Sequence, residues 1–174
     1  AYIAKYLEPL SVTGIDISND AISLCHNLYS IPNLDFVYGD SEKIPFSDNS
    51  YDIVINVESS HCYGNMEKFL SEVYRVLAPG GLFLFCDFRS IAGIDELNEY
   101  FTKSDLQFIN RTDITDNVIR GLDGLSEYRE KRIKKSVPFF IRGLFKTYAG
   151  IKGTEIYNSF VSGKMIYICA ILKK

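Results

Sequence analysis

The 174-residue chain has no apolar run near the roughly 18 residues needed to cross a bilayer, and its start has neither the basic flank nor the apolar stretch of a secretory signal. A spanning helix is therefore excluded, and the expected location is the cytoplasm. The four cysteines, Cys25, Cys62, Cys86 and Cys169, are far apart and form no CxxC pair, so neither a disulfide framework nor a zinc site is indicated. They are expected to be reduced thiols, mostly in the core, and no metal is expected. Internal repeats and low-complexity tracts are also missing. The net charge is only −3, and it is unevenly spread: from Arg120 to Lys152 there are nine Lys or Arg against three Asp or Glu. The acidic remainder would repel phosphates, which argues against wholesale nucleic-acid binding.

What is present reads as alternating helices and strands. Tyr2, Ile3, Tyr6, Leu7 and Leu10 recur at helical spacing up to a stop at Pro9, and "SVTGIDIS" follows as a β-branched strand tipped by Asp16. A helix leading to a strand with an acidic tip is the second half of a nucleotide-binding βαβ unit, and the first half does not precede it. Next come a helix in "SNDAISLCHNL", a strand in "LDFVYGD", a turn-rich loop, and "YDIVINV", whose continuous apolar run predicts burial on both faces. "NMEKFLSEVYRVL" puts Met66, Phe69, Leu70, Val73 and Leu77 on one helical stripe that "APGG" should end, ahead of the strand "LFLFCDF". Helix "DELNEYFTKSD", strand "LQFINRTDI", a glycine-interrupted basic helix through "YREKRIKK", an aromatic stretch from Pro138 to Tyr148 and the strand "KMIYICAIL" complete the chain. This pattern predicts one α/β domain with a parallel-dominated sheet.

The stretch from "VTGIDIS" through "GDSEKIPFSDNSYDIV" to "RVLAPGGLFLFCDF" resembles the class I S-adenosylmethionine-dependent methyltransferases. Within that family, "NVESSHCY", "DFRS", "DITDNVIRGLD" and the closing "YAGIKGTEIYNSFVSGKMIYICAILKK" resemble small-molecule O-methyltransferases of the phthiotriol dimycocerosate and rifamycin-tailoring kind. The resemblance implies a Rossmann-like sheet of order 3-2-1-4-5-7-6 with strand 7 antiparallel, and S-adenosyl-L-methionine as cofactor. It implies a hydrophobic polyketide, glycoside or lipid as methyl acceptor, and a lid between the last two strands, placed here at 120–163.

A carboxylate at a strand tip can accept both hydroxyls of a ribose, and Asp16 is placed for that, with Ile17 as an apolar surface for adenine. Asp40, one strand over, would accept from the adenine amine while the backbone of Ser41 reads the ring edge. Taken singly, both acids are as easily turn or capping residues. Asn56 would face the methionine end of the cofactor through its carbonyl. Glu58 either orients the cofactor's amino group or pairs with a basic side chain. His61, just beyond the Asn56 strand, is the candidate general base, its imidazole having an unperturbed pKa of about 6.5. Asp87, at the end of the neighbouring strand, would orient it and stabilise its charged form. Without the family context His61 is simply a loop histidine.

The aromatic run 138–148 is read as a lining over the cofactor, core being the alternative. The basic run 128–135 is either a solvated face or a peripheral contact with an anionic membrane. No GxGxG turn stands before Asp16 or later, and the chain does not begin with Met. The expectation is an N-terminally truncated methyltransferase domain over 1–174 whose absent first strand would lie between the Asp16 and Asn56 strands. Any ordered form should then fill that slot, by an upstream segment, by strand exchange within an oligomer, or by closure of the two bare strands on each other. The competing reading is a non-catalytic fragment or binding module without a working cofactor site.

Overall fold

The computed structural model describes all residues, 1–174, and has one α/β architecture with two separate sheets. A short helix α1 (Tyr2–Tyr6) leads into β1 (Val12–Asp16), α2 (Asn19–Leu28) and β2 (Leu34–Tyr38). Then follow β3 (Tyr51–Val57), a single 3-10 turn at Ser60–Cys62, α3 (Met66–Val76), β4 (Leu77–Ser90) and α4 (Ile91–Lys103). The remainder is β5 (Gln107–Asp113), α5 (Thr115–Ser136), α6 (Arg142–Tyr148), α7 (Glu155–Val161) and β6 (Met165–Lys173).

Strands β1 and β2 pair in parallel as a two-stranded sheet, while the other sheet has order β3-β4-β6-β5. β3 and β4 are parallel, and β6 runs antiparallel to both β4 and β5, so the sheet is mixed rather than parallel-dominated. These two orders are those expected on either side of a first strand. No pairing joins β1 to β3, so closure of the bare strands on each other does not occur and the slot between them stays unfilled by this chain. The expected two-sided burial of β3 also fails: Ile53, Ile55 and Val57, which share one face of the strand, are 50%, 46% and 57% exposed.

The core lies on the four-stranded side. Helix α3 starts on an Asn65 cap, whose side chain accepts the Lys68 N–H at 2.9 Å, and buries Met66, Phe69, Leu70, Val73 and Val76 along one face. All of these but Val76 meet Phe83, Phe85, Ile94, Leu97, Phe101, Ile168 and Leu172 in one cluster. The helix stops one residue earlier than the stripe suggested, with Leu77 opening β4. Gly80 sits at φ +82°, and a Cβ on Gly81 would meet Ala78 O and Asp52 O at 2.9 Å, so "APGG" forms an irregular strand start that only glycine permits. The glycines of α5 do not interrupt it: Gly121 and Gly124 have open space around them and the helix runs through both. Helix α7 had no counterpart in the sequence reading.

Loop 40–50 ties the two sheets together. Arg75 of α3 donates to Phe46 O, Ile44 O, Asp48 and Glu72, while Glu72 accepts the Ile44 N–H and Glu42 accepts from the N–H groups of Gly64 and Asn65. Burial works against ionisation of Glu72, but the bond from Arg75 is stronger and holds its carboxyl below the usual value; Glu72 and Asp48 in turn raise Arg75.

Candidate functional site

The expected residues fall into two groups, one on each sheet. At the C-terminal ends of β1 and β2, Asp16 Oδ1 accepts the Ser18 N–H at 2.8 Å and Asp40 Oδ1 accepts the Glu42 N–H at 2.8 Å. Both acids therefore make the local turn bonds of the plainer reading, and the second oxygen of each has no hydrogen-bond partner within the chain. Ile17 is exposed beside Asp16, and Ser41 lies in the turn after Asp40. The carboxylate at the β1 tip and the bare apolar surface next to it fit the nucleoside half of the cofactor that the sequence implies.

Near the end of β3, Asn56 is buried and donates from Nδ2 to Ser59 Oγ and Tyr63 Oη, both at 2.8 Å, and Ser59 Oγ and Tyr63 Oη lie 2.9 Å apart. This closed triangle shapes the turn that presents His61. Asn56 Oδ1 is buried with no donor from the chain, an arrangement that costs free energy unless a polar group meets it. Glu58 adopts φ +51°, a conformation disfavoured for a side chain with Cβ and concentrated at functional turns. Its carboxylate accepts from Tyr167 Oη at 2.9 Å, so its partner in the fold is a phenol rather than a basic group. Burial, then the Glu58 carboxylate, push the Tyr167 hydroxyl well above its ordinary pKa.

His61 and Asp87 are brought together. His61 Nδ1 lies 2.9 Å from Asp87 Oδ1; the side chains are 30% and 0% exposed. Asp87 Oδ1 also accepts the Phe88 N–H at 2.8 Å, while Oδ2 accepts from Ser60 Oγ at 2.6 Å and from the His61 N–H at 3.1 Å and is ion-paired with Arg89 Nη1 at 3.1 Å. Burial by itself would raise this carboxyl, but the donors from Ser60, His61, Arg89 and Phe88 outweigh it and hold the pKa below the ordinary value. The imidazole stacks on Phe88 with ring centroids 4.5 Å apart, and Phe88 meets Phe160 of α7 and Tyr167 of β6.

Ser60, Arg89, Phe88, Phe160 and Tyr167 were missed by the sequence reading. Arg89 was detectable, since residues two apart on a strand share a face and Asp87 had already been singled out. The aromatic run 138–148 does not supply the ring on His61. Phe139, Phe140, Leu144, Phe145 and Tyr148 are exposed, and the ring that stacks on the imidazole comes from β4. The cysteine expectation is corrected too: Cys62 is exposed and the other three are half-buried. Cys86 and Cys169 face each other across β4 and β6, and burial, then Cys169, push the Cys86 thiol up to about 12.

The fold thus carries a strand-tip acid pair on one sheet, and a histidine–aspartate pair at the end of the parallel pairing of the other. Residues 1–85 match the family model described as a methyltransferase domain. The chain is 35% identical over 167 residues to the phthiotriol/phenolphthiotriol dimycocerosates methyltransferase of Mycobacterium leprae, covering 96% of this chain and 62% of that protein. It is 36% identical over 148 residues to a fatty-acid O-methyltransferase of Mycolicibacterium smegmatis, covering 85% of this chain and 54% of that protein. The fold is shared with the solved StiE O-MT at TM-score 0.73 and 19% identity, over 96% of this chain and 60% of that one. The chain belongs to the class I S-adenosylmethionine-dependent methyltransferases, a family whose cofactor is S-adenosylmethionine. It spans about 60% of the length of the first of these curated relatives.

Proposed function

We propose that the full-length protein transfers a methyl group from S-adenosylmethionine to a hydroxyl on a hydrophobic small molecule of polyketide, glycoside or lipid type, with His61 as general base. The 2.9 Å bond between His61 Nδ1 and Asp87 Oδ1 carries this reading. The cofactor, when bound, supplies a sulfonium methyl group open to in-line displacement by the acceptor oxygen. Asp87 accepts the Nδ1 proton, which fixes the tautomer and leaves the Nε2 lone pair free for the hydroxyl proton. Its carboxylate then stabilises the imidazolium that forms as the oxygen–carbon bond is made. Phe88, Phe160 and Tyr167 give the site an apolar wall, which suits a hydrophobic acceptor and keeps water from the proton. Asp16 and Ile17 hold the ribose and adenine, Asp40 and Ser41 the base edge, and Asn56 and Glu58 the methionine end.

Replacing His61 by Ala in the full-length enzyme should lower turnover by roughly 100-fold to 10,000-fold with cofactor affinity little changed. Unaltered turnover would remove His61 from the role. Replacing Asp16 by Ala should weaken cofactor binding by about 1.5 to 3 kcal/mol, measured calorimetrically.

The separation of Asp16 and Asp40 from Asn56 onto two unjoined sheets favours a second reading, in which this chain by itself keeps the fold without a working cofactor site. Calorimetry with S-adenosylhomocysteine tests this second reading, which expects no binding to the chain alone and is overturned by binding there. The lid is assigned to 120–163, and the basic run 128–135 to a peripheral contact at an anionic membrane on the cytoplasmic side. Lys131, Arg132, Lys134 and Lys135 are exposed there, next to the exposed Phe139 and Phe140. Sedimentation with phosphatidylglycerol vesicles, but not with phosphatidylcholine vesicles, is the expected result.

A further inference from the structure

The proposed base works only if its imidazole is unprotonated at the working pH, and a buried carboxylate beside it opposes that. Asp87 is fully buried, and alone it would favour the charged imidazolium strongly, because little solvent screens the pair. The structure does not leave it alone. Arg89 lies on the same face of β4, two residues on, and sets Nη1 3.1 Å from Asp87 Oδ2, the oxygen turned away from the imidazole. The guanidinium is itself fixed, since Nη1 donates to Phe88 O at 2.7 Å and Nη2 to Ser60 Oγ at 2.8 Å. Ser60 Oγ in turn donates to Asp87 Oδ2 at 2.6 Å, closing a ring of three side chains behind the histidine.

We infer that Arg89 is a positioning residue that sets the proton affinity of His61, by making Asp87 one half of a neutral ion pair and by locking its Oδ1 toward Nδ1. This rests on the reading of His61 as the base. An always-charged group is needed for the first task and a forked one for the second, and arginine supplies both. The other ionisable groups near the imidazole do not provide this balance. Glu58, on the loop from β3, is engaged by Tyr167 of β6. Cys62 follows His61 in the 3-10 turn, and Cys86 precedes Asp87 on β4 with its thiol pushed up to about 12 by burial and Cys169. Helix α7 reaches the cluster through Phe160, which is uncharged.

The chain has only two histidines, so its imidazoles can be titrated directly by NMR, with His26→Gln assigning the signals. Arg89→Gln and Arg89→Met should make His61 bind its proton at least about tenfold more tightly, whereas Arg89→Lys, which keeps the charge and loses the fork, should stay within about twofold of the parent. A neutral variant that titrates like the parent overturns the inference, and so does a lysine variant that shifts as far as the neutral ones. Where the neutral variants do not fold, Arg89→Lys decides alone, a tenfold shift counting against. Unchanged turnover in His61→Ala would instead sink the base assignment and leave these titrations standing.

Discussion

The two sheets differ in how much of their stability they contain. The four-stranded sheet packs against α3 and α4 around one cluster of 14 buried residues, all between Met66 and Leu172. The two-stranded sheet and its helices have Ala4 as their only buried hydrophobic side chain, with Ile44 added by loop 40–50, and α2 buries none at all. Yet the second region holds the acids assigned to the nucleoside, while the first holds the histidine–aspartate pair. The residues proposed for the nucleoside thus sit on the part with least packing of its own. Two parallel strands without a core are marginal in isolation, so this region depends on loop 40–50 and on whatever occupies the edges of β1 and β3.

The contrast can be tested by removing equal bulk from each side. Phe83→Ala, in the centre of the cluster, should cost about 3 to 5 kcal/mol in urea unfolding, and Phe36→Ala on β2, where the ring is only half-buried, less than about half of that. Similar losses at the two positions would mean that the regions share one core. Amide exchange should agree, with β1 and β2 exchanging at least about 100-fold faster than β4 and β6.

Next in size is the tether. Arg75→Ala removes the bonds to Ile44 O, Phe46 O and Asp48, and should cost about 1 to 3 kcal/mol while increasing exchange in residues 40–50. If protection in β2 does not change, the link runs elsewhere.

Acid should separate the regions as well. The Asp87 and Glu72 carboxyls titrate lower in the folded chain than their ordinary values, so the stability they contribute is fully present above about pH 5. It declines as pH falls through about 4 and is lost below their folded pKa values. In Asp87→Asn, chemical unfolding measured from pH 7 to pH 3 should show a shallower decline than in the parent; an identical slope would exclude Asp87 as a source.

The smallest effect is chemical. At pH 8 iodoacetamide should modify the exposed Cys62 well before Cys86, which is half-buried and has a raised thiol pKa. Peptide mapping by mass spectrometry reads the order, and equal rates would show that β4 and β6 open readily.

Much of this was legible in the sequence. The stripe of α3, the strand tips at Asp16 and Asp40, and the nearness of His61 to Asp87 follow from helical and strand periodicity and from residue types at family spacings. The family's sheet order also agrees with β1 and β3 not pairing with each other. Several features are not local and had to come from the fold. Burial of the second face of β3 needs an element packed on that face, which no pattern within "YDIVINV" can supply. The Phe88–Phe160 contact joins residues 72 positions apart, and Tyr167 reaches Glu58 across 109. The exposure of the 138–148 aromatics depends on where α6 docks, because a helical apolar stripe looks the same in sequence whether something covers it or not. The sequence determined which groups carry the chemistry, since that depends on side-chain type and short-range spacing. Tertiary structure decided what surrounds each of them, since desolvation, ion pairing and stacking arise only where distant segments meet.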